Sequence, residues 1–146
     1  MYKTMCKEKN LKCNINKRLI NSINKNKLLV ISVSKNKQLD VAFHVYVKNN
    51  DAVVLWFSCS SFRNNNSDKN LVGRINRYQH FEDITYFWQR NIRYYDWGGV
   101  KSFDNPCGID QFKYSFPGEK TYVYSKTVAA TKKGALFLKI KKILRK

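Results

Sequence analysis

The sequence contains no apolar run long enough to cross a membrane. Its longest apolar stretches, residues 28–33 and 52–57, are far shorter than the roughly 20 residues that a transmembrane helix needs. The N-terminus carries lysines without the apolar segment of a secretory signal. We therefore expect a cytoplasmic protein.

Histidines and paired cysteines are also scarce. The four cysteines are Cys6, Cys13, Cys59 and Cys107. They lie far apart without a C-x-x-C pair, which indicates reduced thiols rather than a zinc site or a disulfide framework. The two histidines, His44 and His80, are too few for a metal centre, so we predict none. We expect His44, on a predicted strand, to be structural.

Acidic residues are few, and the excess of basic residues lies at the two ends of the chain. The net charge is +18, from 28 Lys and Arg against 10 Asp and Glu. Residues 1–37 hold ten basic residues against one acid, residues 38–130 eleven against nine, and residues 131–146 seven against none. A dedicated nucleic-acid-binding domain usually carries its charge on the folded face, so that function is only an alternative here.

Hydrophobic patterning predicts one domain with a mainly antiparallel sheet. The content of 43% hydrophobic and 14% aromatic residues is enough for a single core in 146 residues. Residues 1–26 predict one short amphipathic helix. Three strands, at residues 28–34, 39–48 and 52–58, follow with short turns between them, so they should pair antiparallel. The third is apolar on both faces, which is typical of a central, covered strand.

A long helix at residues 71–90 comes next, capped by Ser67 or Asp68. Its predicted buried stripe consists of Leu71, Ile75, Tyr78, Phe81, Ile84 and Phe87, which leaves Asp83 on another side. Residues 93–97 predict a strand that ends in a glycine turn, residues 109–114 a short helix, and residues 120–128 a last strand. The predicted order is α-β-β-β-α-β-α-β-α, an α+β fold over residues 1–130.

Three segments of the sequence read GRINRYQH at residues 73–80, YDWGG at 95–99 and GIDQFKYSFPG at 108–118. In this order they resemble the FemAB-like branch of the GNAT acyltransferases. The first is similar to the family's G-R-x-N-x-x-x-H helix opening and the third to its G-x-x-x-F-K-x-x-F-G-G pattern. The likeness covers residues 28–126. It implies a GNAT-like sheet with a long helix packed on it, in a domain whose beginning is shortened.

The resemblance implies acyl transfer to an amino group of a sugar or peptide precursor in cell-surface glycan or peptidoglycan synthesis. Such transfer needs a base and a positive or N–H-rich group for the oxyanion. Asp96 and Lys113 are the predicted catalytic pair. The predicted substrate-binding residues are Arg74, Asn76, Arg77, His80, Tyr95, Trp97 and Phe112. For Asp96 a role in the turn, and for the helix residues a solvated polar face, are the alternatives.

The acyl donor stays open between acyl-CoA and aminoacyl-tRNA. Classical acetyl-CoA users have a glycine-rich loop before the long helix, where backbone N–H groups hold the pyrophosphate. Residues 62–70 contain no glycine. Relatives of the FemAB kind also lack that loop and can use aminoacyl-tRNA. The acceptor would be a nucleotide-sugar or lipid-linked precursor, and an inactive or partial domain that serves as a binding partner is the main alternative.

Residues 131–146 predict a basic amphipathic helix. Leu136, Ile140, Ile143 and Leu144 fall on one side of a helical wheel. Seven positive charges without an acid exceed what a packing helix needs, and they favour an anionic membrane interface. Attraction between these basic residues and anionic lipids would hold the protein at the inner face of the membrane. Closure of the core by the same apolar stripe is the alternative.

Overall fold

The computed structural model describes residues 2–8, 10, 12–13, 15–63, 68–124 and 126–143. Contacts divide the chain into two units, one up to Lys113 and one from Tyr114 onward. The helices are α1 (Tyr2–Glu8), α2 (Lys17–Lys25), α3 (Lys69–Trp88), α4 (Gly108–Tyr114) and α5 (Lys132–Ile143), and the strands are β1 (Leu29–Asn36), β2 (Leu39–Lys48), β3 (Ala52–Ser60) and β4 (Tyr94–Asp96). The boundary that we predict at residue 130 stays a prediction.

The first unit is built on one four-stranded mixed sheet in the order β1-β2-β3-β4. β1, β2 and β3 pair antiparallel, as the short turns predict, and β4 pairs parallel with β3 after α3. Asn49 fixes the second turn, because its Oδ1 accepts from the backbone N–H groups of Asp51 and Ala52. The predicted α+β class, with a long helix on a mainly antiparallel sheet, is therefore confirmed.

Helix α3 begins at Asp68, whose Oδ1 accepts from the N–H groups of Asn70 and Leu71. This N-cap satisfies two of the donors that a helix start leaves without partners. The alternative cap, Ser67, lies outside the described residues. The helix packs on β1, β2 and β3, and its Phe87 joins Tyr46 and Val53 in the buried core.

The buried face of α3 is partly polar, which corrects the predicted stripe. Tyr78 and Phe81 are 63% and 59% exposed, whereas Gln79, His80 and Asp83 are buried with Val72 and Phe87. The physical reason lies on β2, where His44 and Tyr46 point to the α3 side and are fully buried. Buried polar groups need hydrogen-bond partners, and polar side chains of the helix supply them.

Three further predictions about the elements are wrong. Residues 1–26 hold two helices rather than one, and α1 packs on β3 through Tyr2, whose ring lies 5.0 Å from that of Phe57. β3 is interior to the sheet, but Val54 is 37% exposed, so the strand is not covered on both faces. Residues 120–124 and 126–128 form no strand, because propensity alone does not supply a neighbour to pair with.

In the second unit α5 forms where the basic tail predicts a helix. Its apolar residues Leu136, Phe137, Ile140 and Ile143 are 47–73% exposed, with Lys132, Lys133, Lys139 and Lys141 exposed beside them. Residues 144–146, including Leu144 of the predicted apolar side, lie outside the described part. Among the described helices none is long and apolar enough to span a membrane.

Candidate functional site

The parallel pair β3–β4 positions a cavity. Pairing ends at Val54 and Asp96, while β3 continues to Ser60 and the chain turns away after β4. The carboxyl ends of parallel strands are where open sheets place ligand sites. The cavity has a volume of about 330 Å³. Its lining residues are Met5, Leu55, Ser58, Cys59, Ser60, Phe62, Gly73, Asn76, His80, Trp97, Gly108, Ile109, Phe112 and Lys113.

His80 connects the cavity with the interior of the protein. Its ring centre lies 4.7 Å from that of Trp97 and 5.6 Å from that of Phe112, and both rings also line the cavity. Its Nδ1 lies 3.0 Å from Tyr95 Oη. Burial is the main cause that lowers the pKa of His80 to about 3; the nearby His44, Arg77 and Lys113 act in the same direction, and the carboxylate of Asp83 opposes them. The cavity therefore presents a neutral imidazole.

His80 belongs to a buried hydrogen-bond network of five side chains. Its members are His44, Tyr46, His80, Asp83 and Tyr95. Tyr46 Oη donates to Asp83 Oδ2 at 2.6 Å and lies 2.9 Å from Tyr95 Oη. His44 Nδ1 lies 2.7 Å from the same carboxylate oxygen. On its other side, His44 Nε2 lies 3.2 Å from Oδ1 of Asn76, which lines the cavity.

Asp83 is the acceptor at the centre of this network. Burial by itself would raise the pKa of its carboxyl, but hydrogen bonds from His44, Ser32 and Tyr46 lower it. The pKa values of the two tyrosine hydroxyls shift in the opposite direction, upward. Burial and the nearby carboxylate raise the pKa of Tyr46, and burial raises that of Tyr95. The network thus holds one negative charge, on Asp83, between neutral phenols.

The donor atoms of His44, His80 and Asp83 lie within 4.8 Å of one another, close enough to raise the question of a metal ion. The two imidazole rings are stacked, with centres 4.0 Å apart and 22° between their planes. A ring nitrogen directs its lone pair in the ring plane, so stacked rings do not aim at one point about 2.0–2.1 Å from both nitrogens. The arrangement suits hydrogen bonding; the prediction that no metal binds stays a prediction.

Lys113 closes another side of the cavity. Its Nζ donates to the carbonyl of Gly99 at 2.7 Å and lies 3.5 Å from that of Gly98. These carbonyls are held in place because Asp96 Oδ1 accepts from the N–H of Gly98 at 2.7 Å. Burial lowers the pKa of Lys113, although nearby carboxylates oppose the shift. An ammonium has three donors, so one is left for a molecule in the cavity.

The structure brings together some of the residues that the sequence singles out, but not all. Asn76, His80, Trp97, Phe112 and Lys113 line the cavity. Tyr95 lies behind His80, and the guanidinium of Arg77 lies 5.3 Å from the ring centre of Phe112. Arg74 is exposed and does not line the cavity, because it lies two residues from Asn76, on another side of the helix.

Asp96 also lies outside the cavity lining. It is exposed, and its Oδ1 accepts the N–H of Gly98 within the turn that follows β4. This is the alternative role that the sequence allows for it. Whether Asp96 also takes part in chemistry stays a prediction.

Sequence reasoning missed the interior half of the site. It left Asp83 off the buried face of the helix, and it did not connect His44 and Tyr46 to His80. The signals were present, since His80 and Asp83 are three residues apart on a helix and His44 and Tyr46 are two apart on a strand. Each pair therefore shares one face of its element.

The chain was compared with protein-family models, curated proteins and solved structures. No protein-family model, no curated protein and no solved structure matches the chain.

Proposed function

We propose that the protein is a FemAB-like acyltransferase that transfers an acyl group to an amine in the cavity at the carboxyl ends of β3 and β4. Two features support this. Three antiparallel strands, a long helix and a fourth strand occur in the order that the sequence pattern predicts, and this order is compatible with the GNAT-like sheet that the resemblance implies. The segments that carry the resemblance also supply five of the cavity's lining residues that we predict as functional: Asn76, His80, Trp97, Phe112 and Lys113.

The observation that carries the proposal is the chemistry of the cavity wall. A neutral imidazole, an amide and an ammonium line it, and its described lining residues include no carboxylate. Such a wall disfavours a substrate ammonium and favours the neutral amine, which is the form that attacks an acyl carbon. The apolar part of the wall, with Leu55, Phe62, Trp97 and Ile109, suits an acyl chain or a sugar ring.

The proposed reaction assigns separate roles to His80 and Lys113. His80 accepts a hydrogen bond from the amine N–H and directs the nitrogen lone pair to the acyl carbon. As the N–C bond forms, the nitrogen becomes positively charged and acidic, so a weakly basic imidazole can take its proton. Lys113 donates to the carbonyl oxygen as it becomes negative. The bond to the donor then breaks, and the proton passes to the leaving group.

The donor is acyl-CoA or aminoacyl-tRNA, and the acceptor is an amino group of a nucleotide-sugar or a lipid-linked peptide or sugar precursor. The segment between β3 and α3 has no glycine-rich phosphate loop in its sequence, and its residues 64–67 lie outside the described chain. The basic residues favour a polyanionic donor such as tRNA. Both donors therefore belong in the test.

The test incubates the purified protein with acetyl-CoA, a longer acyl-CoA or aminoacyl-tRNA, each against amino-sugar nucleotides and peptide precursors. Mass spectrometry of the acceptor reports a mass gain equal to the acyl group. We expect one donor class to give the product, and Lys113→Ala to reduce the rate by ~10²-fold or more. The exposed Lys101→Ala is a matched control that should retain the wild-type rate.

Transfer that is unchanged in Lys113→Ala would remove this residue from the mechanism. Asp96→Asn decides between the two roles of Asp96: a loss of ~10²-fold in a folded variant assigns it to the chemistry, and a small change leaves it to the turn. If no donor gives a product, the proposal fails and the protein is a non-catalytic relative of the fold.

A further inference from the structure

The buried network determines which nitrogen of His80 carries the proton. We propose that Tyr46, which makes no direct hydrogen bond to His80, is a positioning residue that keeps His80 in the tautomer with hydrogen on Nδ1. A chain of hydrogen bonds starts at Asp83, passes through Tyr46 and Tyr95, and ends at His80. Each hydroxyl in this chain has one proton to donate.

The direction of the chain is set at Asp83. An ionised carboxylate only accepts hydrogen bonds, so each group in contact with it must donate. Tyr46 uses its single proton for this contact, at 2.6 Å. Ser32 donates its hydroxyl proton to the same carboxylate and accepts from Gln79 Nε2 at 2.8 Å. Several donors thus converge on Asp83 and fix it as the end of the chain.

The remaining protons follow from this start. Because the Tyr46 proton is committed to Asp83, the contact of 2.9 Å between the phenols needs the proton of Tyr95. Tyr95 then has no proton left for His80, so at 3.0 Å the Nδ1 of His80 must be the donor. A neutral imidazole carries one N–H. Nε2 is therefore the unprotonated nitrogen, two hydrogen bonds away from Tyr46.

This tautomer is the one that the proposed reaction uses, and in that respect the inference rests on the proposed function. A protonated Nε2 could only donate, and it could not accept the N–H of an amine. The tautomer itself does not depend on any reaction. It can be measured in the protein without substrate, so the two proposals can fail separately.

The experiment is a two-bond ¹H–¹⁵N correlation spectrum of the full chain labelled in its histidine rings. The chain has two histidines, and the signals lost in His80→Asn assign those of His80. Protonated and unprotonated ring nitrogens resonate far apart. We expect Nδ1 of His80 to be protonated in the wild type. A protonated Nε2 would overturn the inference without any variant.

Tyr46→Phe then tests the role of Tyr46. Without its acceptor, Tyr95 turns its proton to Nδ1 of His80, and the ring proton moves to Nε2. We expect the dominant tautomer to invert in Tyr46→Phe and to stay unchanged in the control Tyr94→Phe, whose side chain is exposed on the same strand as Tyr95. A folded Tyr46→Phe that retains hydrogen on Nδ1 would overturn the positioning role. If the wild type transfers the acyl group but Tyr46→Phe keeps hydrogen on Nδ1, the proposed function stands and the positioning role of Tyr46 fails. If Tyr46→Phe inverts the tautomer but the wild type transfers no acyl group, the positioning role stands and the proposed function fails.

Discussion

Replacing Asp83 by Asn tests whether the buried network stabilises the fold. The carboxylate accepts from Tyr46 at 2.6 Å and His44 at 2.7 Å, and also from Ser32. Hydrogen bonds to a charged group contribute about 1.5–3 kcal/mol each, roughly twice the neutral value. An Asn side chain offers one acceptor oxygen, and its NH₂ group faces a donor. We expect the free energy of unfolding at pH 7 to fall by roughly 2–4 kcal/mol.

The measurement is urea unfolding followed by the fluorescence of the three tryptophans. Asp40→Asn is the matched control, because the same chemical change there removes only an exposed ion pair, 3.7 Å from Lys35. Such pairs contribute about 0–1 kcal/mol. A loss in Asp83→Asn no larger than that in Asp40→Asn would refute the view that the carboxylate holds the interior together. The m-value should stay the same in all three proteins.

Three further predictions concern the turn, the acid response and the tail. Gly98 has φ +72°, and a Cβ there would lie 3.2 Å from Leu55 O, so Gly98→Ala should cost about 1–2 kcal/mol in urea unfolding, whereas Gly99→Ala, with nothing within 4 Å, should cost less. The pKa of His80 is about 3 in the folded protein and about 6.5 in the unfolded chain, so the free energy of unfolding should fall as the pH drops from 6.5 towards 3. Between pH 7 and pH 5 we expect a loss on the order of 2 kcal/mol in urea unfolding, and a smaller loss in His80→Asn. The full chain should sediment with anionic but not zwitterionic vesicles, more weakly at high salt and not after deletion of residues 133–146; equal binding to both lipids would contradict this.

Local patterns in the sequence predict most of the sheet and the long helix. Short turns at residues 35–37 and 49–51 leave antiparallel pairing as the simple arrangement of three strands, and the structure has it. Residues 120–128 show the limit of this reasoning. Their aromatic and β-branched residues favour a strand, but Tyr124 is 92% exposed and unpaired with any described strand.

The exposed and buried faces of α3 are harder to predict, because the helix carries apolar residues on more than one side. Periodicity alone selects Tyr78 and Phe81 for the core. The structure instead buries Asp83, whose partner His44 is 39 residues away in the sequence. Such a partner depends on the register of β2 and on the position of the helix over it, and neither can be read locally. By contrast, the sequence alone predicts that Asn76 and His80 share one face of the helix, because they are four residues apart.

The central claim is that Nε2 of His80 takes part in acyl transfer, and His80→Asn tests it most directly. The Asn amide can replace the Nδ1–H that donates to Tyr95, so the network should be retained, but nothing replaces Nε2. With the donor and acceptor identified by mass spectrometry, we predict that His80→Asn lowers the transfer rate by ~10²-fold or more in a protein that still unfolds cooperatively in urea at pH 7, although the loss of the buried ring lowers its stability. A folded His80→Asn protein that transfers at the wild-type rate would contradict the account.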